Sequence, residues 1–299
     1  MKIKIQGYSS AYKDGVLTCL KTNYAWMADE SDEDLYQWCK PFLEYEWREE
    51  LPSSIKPYQH GFIFLDDDRV VGYLGFIFAK RRCKGHTYIS QSGTTWAINN
   101  GYRIYMFKAL KEAFNLADVL LDFTPRKSVE ESLTKVFKFT YIDKSIYRFY
   151  PIPCLHNTLI YKDMQEADFE DNDLRNEYLD HELYGVKCLN VSDGQESTYI
   201  FYRINHRIRK NRRFFKHRRS ILKVLKLTNP NFFCKNYKEI VWHLQKEEHP
   251  YVQIEPRFIE PYTIQGFGVK KKRVVRLGLD KTGFHAPTDL LYSEEAILP

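Results

Sequence analysis

The segment Thr94 to Leu110, TTWAINNGYRIYMFKAL, restricts the folds open to this chain more than any other stretch. Thr94 to Ile98 predicts a short strand, Asn99-Asn100-Gly101 a tight turn, and the apolar spacing that follows an amphipathic helix. A strand that turns directly into a helix start aims several backbone N–H groups at one place, where the helix dipole favours a phosphate. The stretch therefore predicts an anion cradle.

The flanking elements follow in a consistent order. KIKIQGY (Lys2 to Tyr8) alternates as a strand does, and Ser9 or Ser10 is positioned to cap a helix through Leu20. A second helix is predicted from Ser31 to Glu50, broken by Pro41. GFIFL and RVVGYLGFIFA, joined by Asp66-Asp67-Asp68, predict a hairpin, and HTYISQSGTTWAI extends its sheet. The three aspartates read as a turn and not as a metal site, because successive strand residues point to opposite faces. VLLDF (Val119 to Phe123) reads as a buried parallel strand. TPRKSVEESLTKVFKF then predicts a helix, and YIDKSIYRFYPI a strand that closes the sheet. The aromatic stripe from Tyr102 to Phe107 is expected to pack its helix against that sheet.

With these flanks, the opening stretch resembles the pyrophosphate-binding segment of the GNAT superfamily of acyl-CoA N-acyltransferases, where a strand leads into Arg/Gln-x-x-Gly-x-Gly/Ala. The six places here read Asn100, Gly101, Tyr102, Arg103, Ile104 and Tyr105. Arg103 replaces the first fixed glycine and adds a cation where phosphate would lie, and Tyr105 replaces the second small residue. Pro125 and Ser128 resemble the family's PN-x-x-S helix. Phe137-Lys138-Phe139 stands where the family has Gly-Phe, and none of Ser132, Leu133 and Thr134 matches the tyrosine that many members use as general acid.

The resemblance implies an α/β (α+β) fold of two GNAT-like domains, each a mixed, mostly antiparallel central sheet flanked by helices. It also implies acetyl-CoA or another acyl-CoA as co-substrate, without a metal. The implied donor contacts are Trp96, Ala97, Ile98, Asn99, Asn100, Gly101, Tyr102, Arg103, Ile104, Tyr105, Pro125 and Ser128, with the oxyanion held by a backbone N–H near Trp96, Ala97 and Ile98.

At 299 residues, 43% apolar and 16% aromatic, the chain can bury two cores. Pro151-Ile152-Pro153 and the residues to Asn157 read as a linker, giving domains 1–152 and 158–299. In the second half, Leu174 to Leu183 and Tyr237 to Gln245 predict helices. YGVKCLNV, STYIFYRINHRIR, FFKHRRSILKVLKL, YVQIE and the C-terminal Thr288 to Leu298 predict strands. Thr228 to Phe232 has no glycine turn, so this domain is expected to lack the cradle and to complete a substrate cleft instead.

Acyl transfer requires a base for the acceptor, a stabilised oxyanion and close alignment. His86, Asp122 and Glu294 form the pool of candidate bases, with Tyr292 a candidate acid; each also has an ordinary structural reading as a surface, capping or edge-strand residue. The acceptor class is a small amine- or hydroxyl-bearing molecule such as an amino sugar or nucleotide sugar. Arg203 to Arg219 carries nine Lys or Arg and no carboxylate, which suits either a solvated hairpin or a polyanion such as RNA. That segment keeps a FemX-like aminoacyl transferase, fed by charged tRNA, as an alternative. A non-catalytic binding protein on a decayed fold is another. Six scattered cysteines without a C-x-x-C pair predict neither zinc nor disulfides, and no apolar run is long enough to span a membrane, so a cytoplasmic protein is expected.

Overall fold

The computed structural model describes residues 3–83, 85–154, 158–209, 217–246, 250–266 and 268–298, with the side chains of 206–209 and 217–219 outside that description. In chain order the elements of the first half are β1 (Ile3–Gly7), α1 (Lys13–Asn23), α2 (Asp32–Leu43), β2 (Phe62–Asp66), β3 (Arg69–Cys83), β4 (His86–Ile98), α3 (Met106–Asn115), β5 (Val119–Asp122), α4 (Lys127–Lys135) and β6 (Thr140–Phe149). Those of the second half are β7 (Ile160–Asp163), α5 (Asn172–His181), β8 (Val186–Ser192), β9 (Ser197–Arg209), β10 (His217–Leu227), α6 (Pro230–Gln245), β11 (Tyr251–Ile254), β12 (Val269–Asp280) and α7 (Glu294–Ile297). The chain divides into two compact units. One is Met1–Thr140 with Leu277–Thr288 and Tyr292–Pro299; the other is Tyr141–Arg276 with Asp289–Leu291.

In the first unit β1 to β4 form an antiparallel sheet, β5 lies parallel to β4, and Leu277–Asp280 of β12 runs antiparallel to β5. Residues 70–79 of β3 are buried without interruption, which requires a cover on both faces of the sheet. Tyr73 stacks on Phe42 of α2, whereas Phe76 meets Phe114 of α3 edge-on. The β2–β3 turn is tighter than expected: Asp66 pairs with Arg69, leaving Asp67 and Asp68 as the turn, with Asp67 at φ +53°. Aspartate tolerates that left-handed conformation because its short polar side chain bonds locally.

Several boundaries differ from the sequence expectation, each for a local reason. A 3-10 turn, Ser10–Tyr12, precedes α1, and the Ser9 side chain makes no capping bond. Ser31 does cap α2, accepting from Asp34 N at 3.1 Å, but Pro41 stands in its last turn and the helix ends at Leu43, not at Glu50. Thr288 to Leu298 form no strand. Ser293 caps the single turn of α7, accepting from Glu295 N at 3.2 Å, and Ser-Glu-Glu is an N-cap pattern that a strand reading overlooks.

The second unit repeats the order of the first. β7 to β10 are antiparallel, α6 follows, and β11 lies parallel to β10. α6 begins at Pro230, earlier than expected, because Asn229 accepts from Phe232 N at 3.0 Å and Pro230 occupies the first helical position. β6, expected to close the first sheet, instead pairs with β11 through Tyr147–Phe149. The strand beside β5 is Leu277–Asp280, the end of β12, whose earlier part is the charge run Lys270–Arg273 without alternation. The units accordingly divide at Thr140/Tyr141, upstream of the Pro151–Pro153 pair, and beyond 276 the chain returns to the first unit except at Asp289–Leu291. Of the basic segment, β9 and β10 pair antiparallel from Arg209 and His217 onward, while 210–216 lie outside the described residues.

Candidate active site

The parallel ladder between β4 and β5 consists of three pairs, Ser90 with Val119, Gln91 with Leu120 and Ser92 with Leu121. β4 then continues to Ile98 while β5 stops at Asp122, so the two strands separate at Gly93. A bulge accompanies the split. Leu74 pairs with Trp96 and Phe76 with Gly93, so Thr94 and Thr95 together face Gly75 of β3. Gly75 is required there, because a Cβ would stand 2.3 Å from Thr94 Oγ1. Beyond Gly93 the β5-side edge of β4 has no strand partner among the described pairings.

Side chains from four elements converge on this split. Tyr24, which ends α1, donates from its hydroxyl to Trp96 O at 2.7 Å. Burial raises the Tyr24 pKa, the Glu294 carboxylate adds to the rise, and Arg126 and the Trp96 backbone bond oppose it. Arg126 lies 4.4 Å over the Tyr24 ring. Thr124, just past β5, donates its N–H to Asp122 Oδ1 at 3.2 Å and its hydroxyl to Glu294 Oε1. Asp122 and Glu294, far apart in sequence, are thus joined through one threonine, and both are buried. The start of the turn is fixed by α1: Asn23 Nδ2 donates to Asn99 Oδ1 at 2.9 Å and Cys19 Sγ lies 3.6 Å from Ala97 O. Burial pushes the Cys19 thiol up to about 12, which keeps it from acting as a thiolate nucleophile.

The turn itself departs from a direct strand-to-helix junction. Asn99 N bonds Val71 O at 2.9 Å, Tyr102 N bonds Asn99 O at 3.1 Å, and Gly101 takes φ +93°. A 3-10 turn, Arg103–Tyr105, then precedes α3, and no side chain caps either. Asn100, Gly101, Arg103 and Ile104 are exposed. Tyr102 turns toward the β2–β3 hairpin, donating to Asp66 Oδ2 at 2.6 Å and accepting from Arg69 at 3.3 Å. The expected aromatic packing stripe does not form: Tyr102 and Tyr105 are half-buried, Ile104 is 78% exposed and Phe107 42%. Pro125 is half-buried and Ser128 exposed, at the start of α4, where Arg126 takes the N-cap position without a side-chain bond.

Two members of the expected catalytic pool lie elsewhere. His86 begins β4, stacks on Phe284 and is exposed. With 13 residues in the strand at about 3.3 Å each, it is on the order of 40 Å from Ile98. Tyr292 packs edge-on against Trp47 and under Arg81, whose strand partner is Tyr88, well short of the split. Tyr24, Thr124 and Arg126 were not expected from sequence. No local pattern marks Tyr24, since its hydroxyl finds a carbonyl on a strand more than seventy residues away. Among the described residues, no group of three His, Cys, Asp or Glu side chains is arranged to hold a metal ion.

The second unit has a matching split with a different occupant. β10 and β11 pair over Ile221–Lys223 and Tyr251–Gln253, and a bulge at Leu225 follows. Leu290 N donates to Leu225 O at 2.8 Å, and Asp289, Leu290 and Leu291 are buried there.

No protein-family model matches the sequence, and no curated protein does. Solved structures do match. A GCN5-related N-acetyltransferase from Anabaena variabilis gives a TM-score of 0.56 at 10% identity, over 93% of this chain and 72% of that one. A protein from Pyrococcus horikoshii named as an acetyltransferase gives 0.52 at 12% identity, over 99% of this chain and 94% of that one. A conserved protein of unknown function from Enterococcus faecalis gives 0.52 at 8% identity, over 93% and 72%. At such identities the likeness is one of fold. With the bulged β4, its split from β5 and the turn into α3, these matches establish that the chain has the GCN5-related N-acetyltransferase (GNAT) fold.

Proposed function

We propose that this protein is an acyl-CoA-dependent N- or O-acyltransferase that moves an acetyl group from acetyl-CoA to a small amine- or hydroxyl-bearing acceptor such as an amino sugar. The observation that carries this reading is the β4–β5 split, whose free strand edge runs straight into the uncapped Asn99–Tyr105 turn. The turn's N–H groups and Arg103 would hold the diphosphate, and the thioester would lie along the edge from Trp96 to Ile98. A backbone N–H on that edge would stabilise the oxyanion.

The acceptor nitrogen or oxygen attacks the thioester carbon, its bond to carbon forms as the C–S bond breaks, and no covalent enzyme intermediate intervenes. Asp122 or Glu294 takes the acceptor's proton. Tyr24, whose raised pKa keeps its hydroxyl protonated, bonds the edge at Trp96 O and supplies a proton to the departing thiolate. No described helix is long and apolar enough to cross a membrane, and a cytoplasmic site of action is part of the same proposal.

The second unit's split already holds Asp289–Leu291, which supports a single donor site per chain. Calorimetric titration with acetyl-CoA is expected to give micromolar affinity and one molecule per chain. No binding would leave a non-catalytic protein on this fold, and two molecules would mean that the C-terminal segment leaves its place.

A further inference from the structure

The notch at Gly93 contains more polar atoms than its surroundings satisfy. Gln91 is 2% exposed, and neither its amide oxygen nor its nitrogen has a hydrogen-bond partner among the described residues; the same holds for the buried Trp96 Nε1. Both line a cavity of about 10 Å³ whose lining also includes Phe76, Phe114, Leu133, Phe139 and Asp122. That volume is roughly what one water requires. A Cβ on Gly93 would stand 3.5 Å from Asp122 Oδ2 and 3.6 Å from Trp96 Nε1, so the two atoms face each other across the place the glycine leaves open.

The geometry points to a permanent water in this notch, accepting from Trp96 Nε1, donating to Asp122 Oδ2 and bonding one end of the Gln91 amide. The donor and acceptor balance is suited to water: an indole N–H can only donate, a carboxylate can only accept, and the amide offers either. Buried waters typically make about three such bonds. Thr124 N bonds Oδ1, and the water adds a bond to the other carboxylate oxygen where β4 and β5 separate. Gln91 and Trp96 are therefore positioning residues for Asp122. This role rests on the reading of Asp122 as a candidate base; the water does not.

The test is a comparison of the wild type with Gly93→Ala, whose added methyl makes ordinary contacts of 3.4 Å to Trp96 and 3.5 Å to Asp122 and should fold while filling the notch. In the wild type, NMR is expected to show transfer from a long-lived water to the Trp96 indole N–H, and a high-resolution crystal structure one ordered water between Trp96 Nε1 and Asp122. In Gly93→Ala both should vanish, and the Asp122 carboxyl carbon resonance should move while that of Asp118 stays. Trp96→Phe should give the same shift at Asp122 without filling the notch. A wild-type indole with no water contact, or an Asp122 resonance unmoved in both variants, overturns the proposal. Acetyl-CoA titration of the wild type reports separately on the acyltransferase reading, so each idea can fail alone.

Discussion

Tyr24 connects local chemistry to the proposed reaction most directly. Its hydroxyl belongs to a residue that ends a helix, yet it bonds a carbonyl at the free edge of β4, and burial keeps the proton on it. Tyr24→Phe is expected to lower kcat for acetyl transfer by roughly a hundredfold, the lower range for losing a positioned acid, with acetyl-CoA affinity unchanged by calorimetry. A loss of affinity with kcat intact would instead make Tyr24 a donor contact. His60 makes a prediction about stability. Burial lowers it to about 4, against weaker upward effects of the Phe42 backbone and Glu44, and its ring sits edge-on to Tyr8 and Tyr45. Between its ordinary value near 6.5 and about 4, the unfolded chain binds a proton that the folded chain refuses, so stability falls as pH drops through that window. The loss from this group should reach about 3 kcal/mol at the acid end. Urea midpoints at several pH values should show a shallower acid slope for His60→Gln than for the wild type.

Among the elements, β4 with its turn and α3 carry the proposed donor site. The 3-10 turn delays α3, so the exposed residues Asn100, Gly101, Arg103 and Ile104 belong to a looser turn than a direct helix start would give, and the N–H groups of Tyr102 and Tyr105 are spent on bonds within it. Arg103 stands in that turn, exposed. Arg103→Glu reverses charge beside the proposed diphosphate and is expected to weaken acetyl-CoA binding by more than tenfold, about 1.4 kcal/mol, with folding intact. Equal affinity in the variant would remove the turn from the donor site. The exposure of Ile104 and Phe107 follows from the same delay, because residues expected on the inner face of the helix lie before or at its first turn.

At the scale of the whole chain, the basic segment bears on the choice of partner. Arg203 to Arg219 belongs to the unit whose split holds Asp289–Leu291, a location that favours a solvated or small-anion role over a tRNA-fed reaction. Binding to tRNA is expected to be weak, to collapse between low and physiological salt, and to ignore aminoacylation, as contact with phosphates alone does. Filter-binding or anisotropy titrations over a salt series would check this. Tight, salt-tolerant binding of charged tRNA, abolished by neutralising Arg209, Arg212 and Arg213 together, would favour the FemX-like alternative.

The sequence alone determined the strand–turn–helix at 94–110, the β2–β3 hairpin, the parallel placement of β5 and the repeat of that order in the second half. These depend on periodicity and turn chemistry, which act over a few residues. It also pointed to Asp122 and Glu294 separately, without the threonine that joins them. Only the tertiary structure decided that Leu277–Asp280 and not β6 lies beside β5, that Leu290 fills the second split, and that Tyr24 reaches Trp96. In each case the partner is a backbone carbonyl or a strand edge, and every residue type but proline presents the same edge. Side-chain pattern therefore says that a strand will pair, and the packing of distant segments determines with which one.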